Sequence, residues 1–407
     1  AIGPEAVGIV TPAFNAVAVR GRRFRQAYAT APETLPSHAS MMTGLYPAGH
    51  AIHENGRTVP ATQAVLAELV RKAGYRTAAV VSSFILSRRF GLARGFDRYD
   101  DELAAGREER VAAGTTDAAL ALLGQGGPQP LFLWVHYFDP HAPYTPPEPF
   151  RTTYARSPYL GEVASMDAQL GRLVQSFERL AAGPVAIVIV GDHGEGLGDH
   201  GEALHGNLVY QSTMHVPLVL AGPGVTAGTV DTPVSARRVY HTILDWAGVE
   251  APGSLRSPAA EIVLGEAMKP YLEYGWQPQT MAVLGRQKSI LAGRMEIYDV
   301  VDDPKESRDL SSTATQSVEL QIAIRDYPVP SPQSARPADT LGEDARRSLA
   351  SLGYVSATAA PIVRKGAPRP ADMTRMFDLL EKASVAHDGR ILQVAPLRDA
   401  GHQQVVL

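Results

Sequence analysis

A threonine, a proline and a histidine at alternate positions open the segment richest in possible chemistry: Thr34, Pro36 and His38. Pro36 suits the first turn of a helix, which would place the Thr34 hydroxyl beside the helix N-terminus. The free N–H groups and the positive dipole end found there can hold an anion. A metal ion on the same oxygen would make Thr34 a nucleophile. Taken alone, however, a threonine before a proline is more often a simple helix cap.

A carboxylate and an imidazole stand just after a short apolar run at residues 185–190, as Asp192 and His193. Open α/β sheets bind ligands at the carboxyl ends of their strands. An Asp oxygen and a neutral His nitrogen together suit a divalent ion such as Zn, Mn or Ca. One interpretation is that Asp192, His193 and Thr34 share a metal site. The alternative is that Asp192 caps a helix and His193 lies at the surface.

A second apolar run, at residues 131–138, leads into Asp139 and His141. The imidazole of His141 could bind a non-bridging oxygen of an ester or protonate its leaving group. Asp139 could orient His141 or enter a second metal site. The alternative for this stretch is an Asp-Pro turn with exposed side chains. We expect His141 to be both a catalytic and a substrate-binding residue.

The elements that must position these residues follow from apolar runs that alternate with helical patterns. Strands are predicted at residues 75–81, 131–138, 185–190 and 216–221, and helices at residues 63–73, 116–123, 161–180 and 236–247. This order predicts an α/β fold in which a mostly parallel central sheet is sandwiched by helices. Shorter runs at residues 271–276, 287–292 and 295–300 predict a smaller antiparallel C-terminal subdomain.

The predicted domain organisation has three parts. A main α/β catalytic domain covers residues 1–255, a smaller C-terminal α+β subdomain covers residues 256–326, and a linker with a helical tail covers residues 327–407. The last part is rich in Pro, Ser and Ala, which is typical of a linker. It also carries one amphipathic helical pattern, at residues 373–386.

The composition excludes several classes of protein. The 407 residues include no cysteine, which rules out disulfides, thiolate nucleophiles and cysteine-bound metals. No apolar run reaches the roughly 20 residues that span a bilayer. A net charge of −4 gives no general reason to expect a nucleic-acid polymer as partner. An anionic ester, whether a small molecule or lipid- or glycan-linked, would need local positive charge such as a metal ion or a histidine cluster. Because the chain opens with Ala1 rather than Met, we expect a processed or incomplete piece of a longer gene product, with an extracytoplasmic location slightly favoured.

Residues 31–56 resemble the nucleophile segment of the sulfatase/alkaline-phosphatase superfamily. The matching strings are Glu33-Thr34-Leu35-Pro36-Ser37-His38, Thr43-Gly44-Leu45-Tyr46-Pro47, His50 and Asn55, and Gly191-Asp192-His193-Gly194 is similar to the superfamily's metal motif. The resemblance implies an alkaline-phosphatase-like fold and a hydrolase with one or two divalent metal ions. Sulfatases begin the segment with Cys or Ser, which is oxidised to formylglycine, and Thr34 cannot be converted in this way. The segment looks more like that of nucleotide pyrophosphatase/phosphodiesterases, in which an unmodified threonine is the nucleophile.

The same resemblance implies roles for other residues. His38 takes the position of a sulfatase arginine, and His205 falls where sulfatases often place a Lys or His, so we expect both to bind the substrate anion. In two-metal relatives a downstream histidine is a ligand instead, so His205 and Asp139 are candidates for a second metal site. Ser82 and Phe84 stand where sulfatases have a Lys-x-His contact. The acidic pair that supplies metal ligands in relatives is expected upstream of this sequence.

Together these features predict a metal-dependent hydrolase that cleaves a phosphate-type ester, namely a phosphodiester, a phosphomonoester or a phosphonate, through Thr34. One alternative is hydrolysis of a sulfate ester, or transfer of a phospho group, at the same site. The other alternative belongs to a different class, a catalytically degenerate protein that binds a ligand on the same fold.

Overall fold

The computed structural model describes residues 2–181, 183–332, 342–352, 362–377 and 379. Its strands are, in chain order, β1 (Arg22–Tyr28), β2 (Arg76–Val80), β3 (Arg98–Asp100), β4 (Leu131–Val135), β5 (Ile187–Val190), β6 (His215–Ala221), β7 (Gly228–Val230), β8 (Val234–Ser235), β9 (Val263–Ala267), β10 (Gln279–Leu284), β11 (Gln287–Ala292) and β12 (Arg294–Asp299). Its helices are α1 (Pro12–Arg20), α2 (Thr34–Thr43), α3 (Pro47–His50), α4 (Leu66–Lys72), α5 (Ala112–Leu123), α6 (Phe150–Thr153), α7 (Pro158–Leu180), α8 (Gln211–Met214), α9 (Arg238–Trp246), α10 (Lys269–Tyr274), α11 (Val318–Arg325) and α12 (Glu343–Ser351). None of the helices in these ranges combines the length with the apolar character that a membrane crossing needs.

A five-stranded mixed sheet supports one half of the candidate site. Its strand order is β5-β6-β1-β7, and β8 also pairs with β1. β6 runs antiparallel to β5 and β1, whereas β7 and β8 run parallel to β1. Leu218 and Leu220 of β6 face the largest buried core. Val219 packs on the other face against Phe14 of α1, because successive side chains of a strand point to opposite faces.

A three-stranded parallel sheet, in the order β3-β2-β4, supports the other half. The four strands predicted for the main domain correspond to β2, β4, β5 and β6, and the four predicted helices correspond to α4, α5, α7 and α9, with ends that differ by a few residues. The predicted α/β fold, with parallel strands, covering helices and a separate antiparallel sheet, is therefore confirmed.

The helix α2, which begins at Thr34, is buried over its whole length of 10 residues. α3, α4 and α9 pack against it. It ends at Gly44, whose φ of +74° lies in the left-handed region that glycine adopts without strain. A Cβ atom at Gly44 would lie only 2.7 Å from the Tyr240 ring, so α9 can approach α2 this closely because residue 44 is glycine.

A four-stranded antiparallel sheet, in the order β12-β11-β10-β9, forms the C-terminal part of the fold. Leu320 and Ile324 of α11 pack on its Ala282. The strand predicted at residues 271–276 was wrong, because this stretch forms α10. A short apolar run suits either a strand or a buried helix, and here Pro270 in the first turn and Gly275 after the last one favour the helix.

The residues predicted to form a linker contain a helix. α12 lies in this stretch and buries Ala345 and Leu349. Of the helix predicted at residues 373–386, residues 374–377 and 379 are helical, and residues 378 and 380–386 lie outside the described residues. The division of the chain into three domains stays a prediction.

A buried ion pair joins the antiparallel sheet to the segment between β5 and β6. Lys288 of β11 and Glu306 both have 0% side-chain exposure, and Lys288 Nζ lies 2.7 Å from Glu306 Oε1. Glu306 Oε2 accepts the backbone N–H of Gln211, at the start of α8, at 2.6 Å. A carboxylate at this depth is tolerated only while it is paired and hydrogen-bonded, so the pair fixes how the two regions meet.

Replacing Lys288 by methionine, which keeps the length of the side chain but removes its charge, should lower the free energy of unfolding by about 3–5 kcal/mol. Glu306 would then remain buried with one backbone N–H as its partner. The measurement is urea unfolding followed by circular dichroism, with Lys305→Met, at an exposed neighbouring position, as the control. Equal unfolding midpoints for the two variants would show that the ion pair does not stabilise the fold.

Candidate metal and ester-binding site

Thr34 is the first residue of α2 and is 2% exposed. The side-chain oxygen of Asn55 accepts the backbone N–H of Leu35 at 2.8 Å, which stabilises the start of the helix. The Ser37 hydroxyl donates to the backbone oxygen of Asp192 at 2.6 Å. This contact joins the first turn of α2 to the loop that follows β5, so the threonine hydroxyl and the Asp-His pair face a common space.

Asp192 meets two histidines in this space. The ligand atoms of His38, His136 and Asp192 all lie within 4.8 Å of one another, and in the described part of the chain no other three acidic or imidazole side chains come this close. His38 Nδ1 donates to the backbone oxygen of Thr34 at 2.8 Å and lies 3.5 Å from Asp192 Oδ2. One carboxylate and two imidazoles form a donor set that fits a divalent ion such as zinc or manganese.

The pKa shifts of this cluster suit ligands that must be deprotonated. Burial, followed by the nearby imidazole of His38, lowers the pKa of His136 to about 3. Burial also lowers the pKa of His38. Burial alone would raise the pKa of Asp192, but the imidazoles of His193, His38 and His136 hold it at about 2. At neutral pH the cluster therefore offers one carboxylate and two neutral imidazoles, the forms that bind metal ions.

His136 was not among the predicted site residues. The apolar run was read as one strand through residue 138, which hid this histidine inside a strand. The ladder of β4 ends at Val135, so His136 is the first residue after the strand. The Ser82 hydroxyl donates to the His136 backbone oxygen at 2.5 Å. Ser82, which stands where sulfatases have part of a Lys-x-His contact, therefore lies beside the candidate metal ligand His136.

His193 lies between Thr34 and the carboxylate of Asp192. Its Nε2 is 3.3 Å from Thr34 Oγ1 and 3.6 Å from Asp192 Oδ2. Its Nδ1 donates to the backbone oxygen of Gly194 at 2.8 Å, so in the neutral ring Nε2 is the acceptor and faces the threonine hydroxyl. A Cβ atom at Gly194 would lie 2.0 Å from the backbone oxygen of Ser212, so only glycine permits this close approach.

His205 and His141 extend the site on the far side of His193. The rings of His193 and His205 are 4.2 Å apart, and those of His205 and His141 are 5.5 Å apart. His205 Nδ1 donates to Glu195 Oε1 at 3.0 Å, and both side chains are buried. Glu195, which was not predicted, therefore fixes the orientation of the His205 ring. Burial lowers the pKa of His205, so in the neutral ring the other nitrogen, Nε2, is a hydrogen-bond acceptor.

Most of the predicted site residues thus form one continuous set of contacts: Thr34, His38, His141, Asp192, His193 and His205. Asp139 lies apart from the three-residue cluster. Its carboxylate accepts a backbone hydrogen bond from Ala112, at the start of α5, and burial raises its pKa. Its role in a second metal site, with His205, stays a prediction.

Comparison with known proteins identifies the family. Residues 6–249, more than half of the chain, match the Sulfatase family. Human arylsulfatase K is 36% identical over 102 residues, which are 25% of this chain and 19% of that protein. Choline-sulfatase of Rhizobium meliloti is 22% identical over 322 residues, which are 58% of this chain and 63% of that protein. The matched stretch is less than two thirds of the length of either relative.

Solved structures show the same fold. The phosphonate monoester hydrolase of Agrobacterium radiobacter superposes with a TM-score of 0.63 at 19% identity, over 76% of this chain and 88% of that one. BT4656, solved with its substrate D-glucosamine-2-N,6-O-disulfate, superposes with a TM-score of 0.66 at 19% identity, over 78% and 92%. The predicted membership of the sulfatase/alkaline-phosphatase superfamily is confirmed, and the chain belongs to the sulfatase family.

Proposed function

We propose that this chain forms the catalytic unit of a metal-dependent hydrolase that cleaves a phosphate-type ester with Thr34 as the nucleophile. The observation that carries the proposal is the 3.3 Å distance between Thr34 Oγ1 and His193 Nε2, beside a cluster of His38, His136 and Asp192 that fits a divalent ion. A hydroxyl next to an accepting imidazole at a helix N-terminus has the geometry of an activated nucleophile.

His38, His136 and Asp192 would hold the ion, which when bound supplies positive charge to the anionic ester and lowers the pKa of a nearby hydroxyl. His193 accepts the Thr34 proton as Oγ1 attacks phosphorus, and the leaving-group oxygen departs on the opposite side. That oxygen takes its proton from solvent. His141 Nε2, which is an acceptor because Nδ1 donates to the Ala142 backbone oxygen, accepts a proton from the water that enters on the side where the leaving group departed. His205 lines the site beside His193. Water then cleaves the phospho-threonine, which returns the Thr34 hydroxyl and releases the phosphate or phosphonate.

Three protein donors that leave a position open for water or substrate are the set expected at a catalytic divalent site. Among the described strands, β4 pairs only with β2 and β5 only with β6. Both are apolar, and all their residues are only half-buried. Their carboxyl ends converge on the cluster.

Sulfate-ester hydrolysis at the same site remains a second candidate because the matched relatives include proteins named arylsulfatase and choline-sulfatase. The solved structures of the same fold include phosphonate monoester hydrolases as well as sulfatases, so the fold alone does not decide between the two esters. The absence of an oxidisable Cys or Ser at position 34 favours the phosphorus ester.

Four p-nitrophenyl substrates separate these possibilities: the monophosphate, the bis-ester of phosphate, the phenylphosphonate and the sulfate. The intact gene product, loaded in turn with Zn, Mn and Ca, should turn over at least one phosphorus ester about a thousandfold faster than the sulfate. A preference for the sulfate would overturn the phosphate-type assignment. Tight metal binding without turnover of any of the four would favour the non-catalytic binding protein.

A further inference from the structure

A buried carboxylate holds the loop that carries His141. Glu162 of α7 is 4% exposed. Its Oε2 accepts the backbone N–H of His141 at 3.1 Å, and its Oε1 accepts the backbone N–H of Thr145 at 2.6 Å. Both carboxylate oxygens are thus engaged by one loop. Burial raises the pKa of Glu162 to about 7, and the N–H groups of Thr145 and His141 oppose this rise by binding the charged form.

The sequence of this loop makes the two contacts important. Residues 139–147 read Asp-Pro-His-Ala-Pro-Tyr-Thr-Pro-Pro, so four of the nine residues have no backbone N–H. The loop therefore has few donors with which to fix its own shape. A Cβ atom at Gly161 would lie 2.8 Å from Pro146, so a glycine next to Glu162 lets α7 approach the loop.

The imidazole of His141 is fixed in turn by its loop. Its Nδ1 donates to the backbone oxygen of Ala142 at 2.8 Å, and its ring stacks on Phe138 with 4.0 Å between centroids. These contacts leave Nε2 on the ring edge that can face a substrate. The direction of Nε2 therefore depends on the loop backbone, which Glu162 holds at both ends of residues 141–145.

We propose that Glu162 is a positioning residue, which fixes where His141 lies on the side of the site where the leaving group departs and water enters, by holding the backbone N–H groups of His141 and Thr145. This inference rests on the proposed function for the role of His141, but the contact itself does not. Glutamine cannot replace the carboxylate, because its amide group has one oxygen acceptor and would turn its NH₂ toward a second N–H donor.

A double-mutant cycle tests whether Glu162 acts through His141. Glu162→Gln should lower kcat by roughly 10- to 100-fold with little change in KM, since a small displacement of a catalytic group has effects of this size. In a His141→Ala background the same change should lower kcat less than about twofold. Glu178→Gln, on the same helix, is the matched control and should leave kcat unchanged. Equal losses from Glu162→Gln in both backgrounds would overturn the proposal.

Amide hydrogen exchange of the peptide covering residues 139–147 tests the contact without any substrate. Glu162→Gln should raise the exchange rate of this peptide by about tenfold or more relative to Glu178→Gln, because one of the two N–H groups loses its acceptor and faces the amide NH₂ instead. Glu162→Asp keeps the carboxylate but shortens the side chain, and it should raise the exchange rate of this peptide as well. This variant replaces Glu162→Gln in the test if the glutamine variant does not fold. Unchanged exchange would overturn the proposal. A wild-type protein without turnover would refute the proposed function instead, and the exchange rates would still decide whether Glu162 holds the loop.

Discussion

Replacing Thr34 by alanine should reduce turnover of the bis-p-nitrophenyl phosphate ester by about a thousandfold or more, the order of loss seen when a nucleophile is removed. The Thr34 hydroxyl lies 3.3 Å from His193 Nε2, and alanine offers no oxygen to attack phosphorus. Stability should change little, because the lost atoms are few and the helix start keeps its hydrogen bond from Leu35 to Asn55. Steady-state kinetics and thermal unfolding measure the two effects separately.

Two further variants sharpen this expectation. Thr34→Ser keeps a hydroxyl at the same carbon and should retain measurable turnover. Thr43→Ala removes a hydroxyl at the other end of α2, where it donates to the backbone oxygen of Ala39 at 2.7 Å, and should retain turnover as well. If Thr34→Ala were as active as Thr43→Ala, the nucleophile would have to be another group, and the proposed mechanism would fail.

Loss of His136 should weaken metal binding by more than about tenfold and abolish most of the turnover. Removing residues that only support metal ligands already has effects of about 10- to 100-fold. The ring of His136 lies with His38 and Asp192 in the cluster that fits a divalent ion, and its lowered pKa keeps it neutral. His136→Ala would leave one imidazole and one carboxylate. Equilibrium dialysis with zinc or manganese, followed by elemental analysis, measures the change.

The matched control is His215→Ala. His215 lies on β6, where its Nε2 donates to the backbone oxygen of Arg25 and its ring contacts Tyr28, away from the cluster. This variant should bind metal as the wild type does. Equal metal binding by His136→Ala and the wild type would show that the ion, if one binds, is held elsewhere.

The residues of the site differ in how far the sequence predicts them. Thr34 and Asp192 are predictable because their neighbours restrict the local backbone conformation. A proline follows Thr34 by two residues, and glycines flank the Asp192-His193 pair. His136 is recognisable only once the end of β4 is known, because an error of one or two residues at a strand end moves it from the sheet to the site. Glu162 and Glu195 act through contacts that tertiary packing creates, and no local pattern indicates them.

The strand β1 shows why part of the sheet could not be predicted. It contains three arginines, Arg22, Arg23 and Arg25, so it lacks the apolar pattern from which a central strand is predicted. In the fold Arg25 reaches the surface and pairs with Asp231 at 2.6 Å. The register between β1 and β6 also shifts between Phe24 and Ala27. This irregularity breaks the alternation of buried and exposed residues from which a strand could have been predicted.

The two half-buried strands β4 and β5 have a consequence for handling the protein. They read Leu-Phe-Leu-Trp-Val and Ile-Val-Ile-Val, without a charge or a proline to discourage pairing with another molecule. Open edges of this composition act as templates for aggregation. We therefore expect the solubility of the protein to depend on how these edges are covered during expression.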